Sequence, residues 1–156
     1  MKLYHGSNVE IESIDLARGR RGKDFGKGFY ANPDYMQAVE FCSSVIRREG
    51  VGIPTVTSFD FDESALNVLN VMRFDGYSKE WAEFILKNRN NISDEPAHDY
   101  DIVVGPIADD GVGTQIRRLS RGFITFDAFL EELKYSKVSI QYFFGTEKAI
   151  KYLKKI

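Results

Sequence analysis

Residues 24–42 read DFGKGFYANPDYMQAVEFC, and the fold turns on how this stretch is understood. Gly26 and Gly28 flank a lysine, Phe29 and Tyr30 follow, and Asn32-Pro33 reads as a helix start, with an N-cap side chain and proline at the first helical position. Beyond it Met36, Val39, Cys42 or Ser43, and Ile46 recur at helical spacing until Gly50. Upstream, GRRGKDFGKG (19–28) carries four glycines and five charges, the composition of an exposed loop. Within this loop-to-helix passage Tyr30 has two readings. Its ring packs under the loop, or it is held toward a planar ligand. A helix folded back against the loop brings Phe41 toward Tyr30, and two such rings form a slot for a flat heterocycle, each stacking contact contributing ~0.5–1.5 kcal/mol beyond burial.

The flanking segments supply the rest of the fold. KLYHGS (2–7) is a short strand that stops at Gly6, and IPTVTSFDFD (53–62) alternates as a strand. ALNVLNVMRF (65–74) reads as a further strand after a turn at Asp62 and Glu63. Ser78 caps a helix with Trp81, Phe84 and Ile85 on its apolar face. YDIVVGPI (100–107) is an apolar strand followed by the turn ADDGVG, then by helical residues 114–121. Thr125 opens a helix with Phe126, Phe129, Leu130 and Leu133 at i, i+3, i+4 and i+7. VSIQYFF (138–144) is a late strand, and EKAIKYLKKI (147–156) a short closing helix. Strands at both ends with helices between them, and no regular βαβ alternation, predict an α+β single domain spanning 1–156.

Composition bounds the function. The chain has 156 residues, 21 Lys plus Arg against 23 Asp plus Glu, and a net charge of −2, so no global field draws it to nucleic acid or an anionic membrane. Cys42 is the lone cysteine, which excludes an intrachain disulfide and an all-cysteine metal site, and its place on the apolar helix face reads as a buried, inert thiol. With no apolar run near membrane-spanning length and no apolar leader, the expected setting is the cytoplasm, without membrane contact.

His5, Gly6 and Ser7 place an imidazole, a side-chain-free backbone and a hydroxyl together, a set suited to a ligand with a carboxamide and ribose hydroxyls and equally to a strand-to-turn transition. Arg18, Arg20 and Arg21 precede Gly26-Lys27-Gly28 and offer guanidinium groups for a pyrophosphate, or simply a solvated basic loop. His98, Asp99, Asp101, Asp109 and Asp110 bracket the strand at 100–107, but two acidic groups so separated make a poor cation site, and no metal is expected.

HGS on the first strand, followed by GKGFYAN and AVEFC, resembles the ADP-ribosyltransferase superfamily, in particular its branch related to poly(ADP-ribose) polymerases. The resemblance implies a split mixed β-sheet core with flanking helices, and NAD as co-substrate. It implies that His5, Gly6 and Ser7 hold the ribose and carboxamide, that Tyr30 after Gly28 stacks on nicotinamide, and that Phe41 closes the slot. The family's third position is a glutamate on a late strand, and here the matching residue is Gln141, a departure to an H-Y-Q set. Glutamine still bonds a ribose hydroxyl but brings no negative charge to a cationic transition state, and losing one such contact costs ~3 kcal/mol, roughly a hundredfold in rate. Glu147, further along, is a poor substitute. The YDIVVGPIADD segment and the ending from Gln141 onward also resemble an uncharacterised bacterial family of the same superfamily, which implies a toxin-like effector with a small neutralising antitoxin protein.

Two functions of different class follow. One is a mono-ADP-ribosyltransferase with His5, Tyr30 and Gln141 as its catalytic set, Gly6, Ser7, Arg21, Gly28 and Phe41 binding NAD, and a protein or nucleic acid as acceptor. The other is a weak or inactive module of that fold that binds NAD, ADP-ribose or a partner protein. Transfer to a nucleic-acid phosphate or base requires a basic groove, which the balanced charge disfavours.

Overall fold

A computed structural model describes residues Met1–Ile156. Its strands are β1 (Lys2–Ser7), β2 (Phe29–Ala31), β3 (Thr55–Phe61), β4 (Val71–Arg73), β5 (Ile102–Pro106), β6 (Ile140–Phe144) and β7 (Leu153–Lys155). The helices are α1 (Tyr35–Glu49), α2 (Ala65–Val68), α3 (Lys79–Arg89), α4 (Asp110–Ser120), α5 (Phe126–Leu133) and α6 (Glu147–Ile150). The fold is α+β, as the element order predicts. Strands β1, β3 and β7 form one antiparallel sheet in the order β1-β3-β7. Strands β2, β6, β5 and β4 form a second, mixed sheet in that order, with β4 parallel to β5.

Period-2 alternation decides how the layers stack. Ile102 and Val104 of β5, Tyr142 and Phe144 of β6, and Phe29 and Ala31 of β2 point to one face, where they meet Leu3, Phe59 and Phe61 of the other sheet. Val103 and Phe143 point to the opposite face and pack on Trp81 and Ile85 of α3, Val112 and Ile116 of α4, and Phe129 and Leu133 of α5. The second sheet is therefore buried on both sides, which explains why YDIVVGPI reads as a continuous apolar run. Helix α1 covers the outer face of β1 so closely that a Cβ on Gly6 would collide with the Ala38 carbonyl. Gly6 thus serves helix–strand packing. Cys42 is buried on the same helix face, its Sγ 3.2 Å from the Ala38 carbonyl and 3.3 Å from that of Thr55.

Several boundaries differ from expectation. Asn32 is not the cap of α1. Its backbone N–H and C=O are both taken by Tyr4 across an isolated bridge, so the chain stays extended and Asp34 caps the helix, its Oδ1 accepting from Met36 N at 2.9 Å. The buried residues of α1 are Ala38, Cys42 and Val45, whereas Met36 is exposed. Residues 65–74 divide into α2 and β4. ADDGVG leads into α4, its last four residues forming the first turn: Asp109 is the cap, its Oδ1 accepting from Val112 N, and core packing of Val112 outweighs the low helix propensity of the glycines. The closing helix spans only Glu147–Ile150, after which β7 pairs with Phe59–Phe61 of β3. The loop at 19–28 is anchored by Phe25, which has no exposed surface. No helix is long and apolar enough to cross a membrane.

Candidate active site

Residues of β1, β2, β6, α1, the loop before β2, the segment after β5 and the end of α3 line an open cavity of about 710 Å³. His5, Gly6, Tyr30, Phe41 and Gln141, far apart in sequence, all line it. The fold builds this convergence in stages. Antiparallel pairing of β2 with β6 sets Tyr30 opposite Phe143, and the bridge from Tyr4 to Asn32 ties β1 to the end of β2. His5 Nδ1 lies 2.6 Å from the Tyr30 carbonyl, which cannot donate, so Nδ1 carries the proton and Nε2 remains an acceptor. The His5 ring stacks on Phe29, centroids 4.5 Å apart. Burial pushes the imidazole pKa down more strongly than the Tyr30 carbonyl raises it, and the ring is neutral near pH 7.

Tyr30 is held at its far end. Its hydroxyl donates to the Gly26 carbonyl at 2.6 Å and accepts from Phe25 N at 3.1 Å, which accounts for DFGKGFY as a unit. Gly26 takes φ 101°, a conformation that favours glycine, and a Cβ on Gly28 would strike the Phe143 ring. Burial raises the phenol pKa well above its ordinary value, so Tyr30 stays protonated. The loop is also tied down by His98, whose Nε2 lies 2.7 Å from the Phe25 carbonyl while Nδ1 accepts from Tyr100 N at 3.1 Å. Both His98 nitrogens are thus spent on structure, and nowhere do three His, Cys, Asp or Glu side chains gather as a metal site.

Near both rings stands a residue that sequence reasoning passed over. Lys23 Nζ lies 4.4 Å from the Tyr30 centroid and 5.5 Å from that of Phe41, a cation beside both rings. The Tyr30 ring itself packs against Phe25 and edge-on to Phe143. Burial, reinforced by Arg48, lowers the Lys23 pKa to about 8. A second cavity of about 340 Å³ adjoins the first, sharing His5, Gly6, Lys23, Tyr30 and Phe41, and is lined by Ser7, Gly28, Arg18, Arg20 and Arg48. Arg21 lies elsewhere. It pairs with Asp94 and donates to the Ile92 carbonyl at 2.7 Å, away from both cavities. Of the three arginines of that loop, Arg18 and Arg20 line the second cavity, together with Arg48 of α1.

Further lining residues were legible only in part. Gln37, Phe41 and Ser44 fall at i, i+4 and i+7 on α1, a stripe that helical spacing could have revealed. Arg89 and Asp24, joined at 2.7 Å, come from α3 and the loop and carry no local signal. Gln141 stands opposite Gly105, and its Nε2 is buried without a hydrogen-bond partner, as is Asn32 Oδ1. Glu147 begins α6, beyond the other end of β6, and is not part of the cavity.

Fold and site together define an α+β protein with a cavity of mixed polar and aromatic lining at the junction of two sheets. Residues 1–155 match the family described as protein of unknown function (DUF3990), and the chain belongs to that family. Comparison with curated proteins and with solved structures gave no match.

Proposed function

We propose that this protein is an NAD-using mono-ADP-ribosyltransferase of H-Y-Q type. The observation that carries the reading is the convergence of His5, Tyr30, Phe41 and Gln141 on one cavity in which the Lys23 ammonium lies beside both aromatic rings. The nicotinamide ring of NAD is a flat cation. In this reading it displaces the Lys23 ammonium from beside Tyr30 and Phe41, His5 Nε2 accepts from a ribose hydroxyl, and Gln141 Nε2 donates to the same sugar. The diphosphate extends into the adjoining cavity, toward Arg18, Arg20 and Arg48, where guanidinium groups form charge-assisted bonds to it.

Cleavage breaks the bond between the ribose anomeric carbon and the pyridinium nitrogen. The bonding pair leaves with nicotinamide, which becomes neutral. The resulting ribosyl cation is captured by a nucleophilic atom of the acceptor, which gives up its proton to solvent. The protein's part is to align the ring, fix the sugar and exclude water. The acceptor is a protein or a nucleic acid, water as acceptor gives simple hydrolysis, and a small neutralising protein fits a toxin-like role in the cytoplasm. The test is release of nicotinamide from NAD by the purified protein, with and without cell lysate. Release that is lost in Tyr30→Ala and stimulated by lysate supports a transferase.

One observation favours a second reading, a module that binds NAD or ADP-ribose without turnover. Gln141 brings no carboxylate to the sugar, and the Lys23 ammonium competes for the slot. Saturable NAD binding, lost in Tyr30→Ala and unaccompanied by nicotinamide release, selects this alternative.

A further inference from the structure

The register of β2 on β6 runs Phe29 to Phe144, Tyr30 to Phe143 and Ala31 to Tyr142; β2 ends there and Asn32 pairs with Tyr4, but the same register continued by one residue sets Asn32 across from Gln141. Directly opposed residues of an antiparallel pair project to the same face. Ala31 and Tyr142 face the core between the sheets, so Asn32 and Gln141 face away from it, on the side of Tyr30, and both line the larger cavity. The Asn32 backbone is fixed from both directions, by its sequence continuity with β2 and by its two hydrogen bonds to Tyr4. Its side chain is therefore held at the seam between the sheets.

Asn32 Oδ1 and Gln141 Nε2 are the two buried side-chain polar atoms in the molecule without a hydrogen-bond partner. One accepts and the other donates, yet they do not bond to each other. An unmatched buried polar group disfavours folding, and native proteins keep few of them. Two on adjacent strands, of opposite hydrogen-bonding sense and in one cavity wall, form a template for a ligand group that both donates and accepts. Hydroxyls do both, and a cis-diol offers one to each amide.

We propose that Asn32 and Gln141 act together as a two-amide clamp on the vicinal hydroxyls of the nicotinamide ribose, with Asn32 Oδ1 accepting from one hydroxyl and Gln141 Nε2 donating to the other. This rests on the ADP-ribosyl reading of the cavity and adds to it a binding residue, Asn32, and a selectivity, for a ribose with both hydroxyls free. His5 Nε2 faces the same cavity as a further acceptor, so the sugar is gripped from β1, β2 and β6.

The test is calorimetric titration of the wild type, Asn32→Ala and Tyr30→Ala with NAD and with two analogues lacking the 2′ or the 3′ hydroxyl on the nicotinamide ribose. The expected result is that Asn32→Ala binds NAD about tenfold more weakly, and that the variant no longer distinguishes NAD from the analogue lacking the hydroxyl that Asn32 bonds. Thermal melting supplies a readout independent of ligand: Asn32→Ala retains or exceeds the wild-type midpoint, because it removes an unmatched group. If Asn32→Ala does not fold, Asn32→Ser replaces it in the same titrations. Tyr30-dependent NAD binding that is indifferent to Asn32, or undiminished sensitivity to both hydroxyls in the variant, overturns the clamp alone. Absence of NAD binding by the wild type overturns the ADP-ribosyl reading and the clamp with it.

Discussion

The two ends of the β5–β6 pair handle buried polarity in opposite ways. At the Phe144 end, Asp101 just before β5 is almost wholly buried and saturated: it accepts from Thr146 Oγ1 at 2.7 Å and Asn70 N at 3.1 Å, with Lys148 Nζ 3.6 Å away. Burial opposes its charge, but these donors prevail and hold the carboxyl below its usual pKa. At the Gln141 end, two buried amide atoms have no partner at all. A saturated buried group fastens neighbouring elements, here β4, β5 and α6. An unsaturated one is a cost to the fold that a ligand can offset. The contrast separates framework from site within one strand pair.

The largest effect expected from breaking this contrast is on the framework. Asp101→Ala leaves the Asn70 N–H and the Thr146 hydroxyl without their acceptor and should lower unfolding free energy by about 2–3 kcal/mol in urea titration, whereas Gln141→Leu should leave it unchanged or raise it. An equal loss in both variants would erase the distinction between the two ends. Gln141→Glu restores a carboxylate at the cavity and should raise nicotinamide release by up to about a hundredfold, while the same change at an exposed position such as Lys154 should not. Tyr30→Ala should weaken NAD binding at least about tenfold through lost stacking. Tyr30→Phe retains the ring and loses only the bonds to Gly26 and Phe25, so it should fall between, and calorimetry would place all three.

Smaller effects depend on pH. Burial holds the Lys23 pKa at about 8; on the proposed reading a bound NAD would drive its ammonium toward solvent and diphosphate and raise that value, so the complex would hold more protons than the free protein. NAD affinity should therefore fall as pH rises above about 8, by at most about tenfold per unit, and Lys23→Met should flatten the profile. Affinity that rises with pH would mean that the ammonium stays beside the ring. The smallest effect is at acid pH. Because the folded Asp101 pKa is depressed, its stabilisation is present above the ordinary carboxylate pKa and is lost as pH falls through the folded value. The stability of Asp101→Asn should accordingly respond less to pH below about 4, as acid-dependent urea midpoints would show.

Local signals served well where an element declares itself through caps and periodicity. Ser78 and Thr125 cap α3 and α5 as the sequence suggests, accepting from Trp81 N at 3.1 Å and Ala128 N at 3.2 Å. They failed where a distant strand imposed the conformation. Asn32-Pro33 has every local mark of a helix start, but the bridge to Tyr4 claims both Asn32 backbone groups. Short strands β4 and β7 lack enough residues to show alternation and exist through pairing with β5 and β3. In the site, the roles of Gly6 and Gly28 as contacts for α1 and Phe143 were invisible, and Arg21 was interchangeable in sequence with Arg20.

The sequence by itself determined the α+β class, the core-forming runs of β5 and β6 and the buried thiol, because periodicity and capping are properties of nearby residues, whereas His5, Tyr30, Phe41 and Gln141 were grouped only by what a family resemblance implies. Tertiary structure alone decided that Lys23 stands beside both rings, that Arg48 rather than Arg21 joins the basic cavity, and that Asn32 and Gln141 share a wall with unpaired atoms. Each of those depends on strand register and on the approach of α1 to β1, which are set by long-range packing and leave no trace in the spacing of residues along the chain.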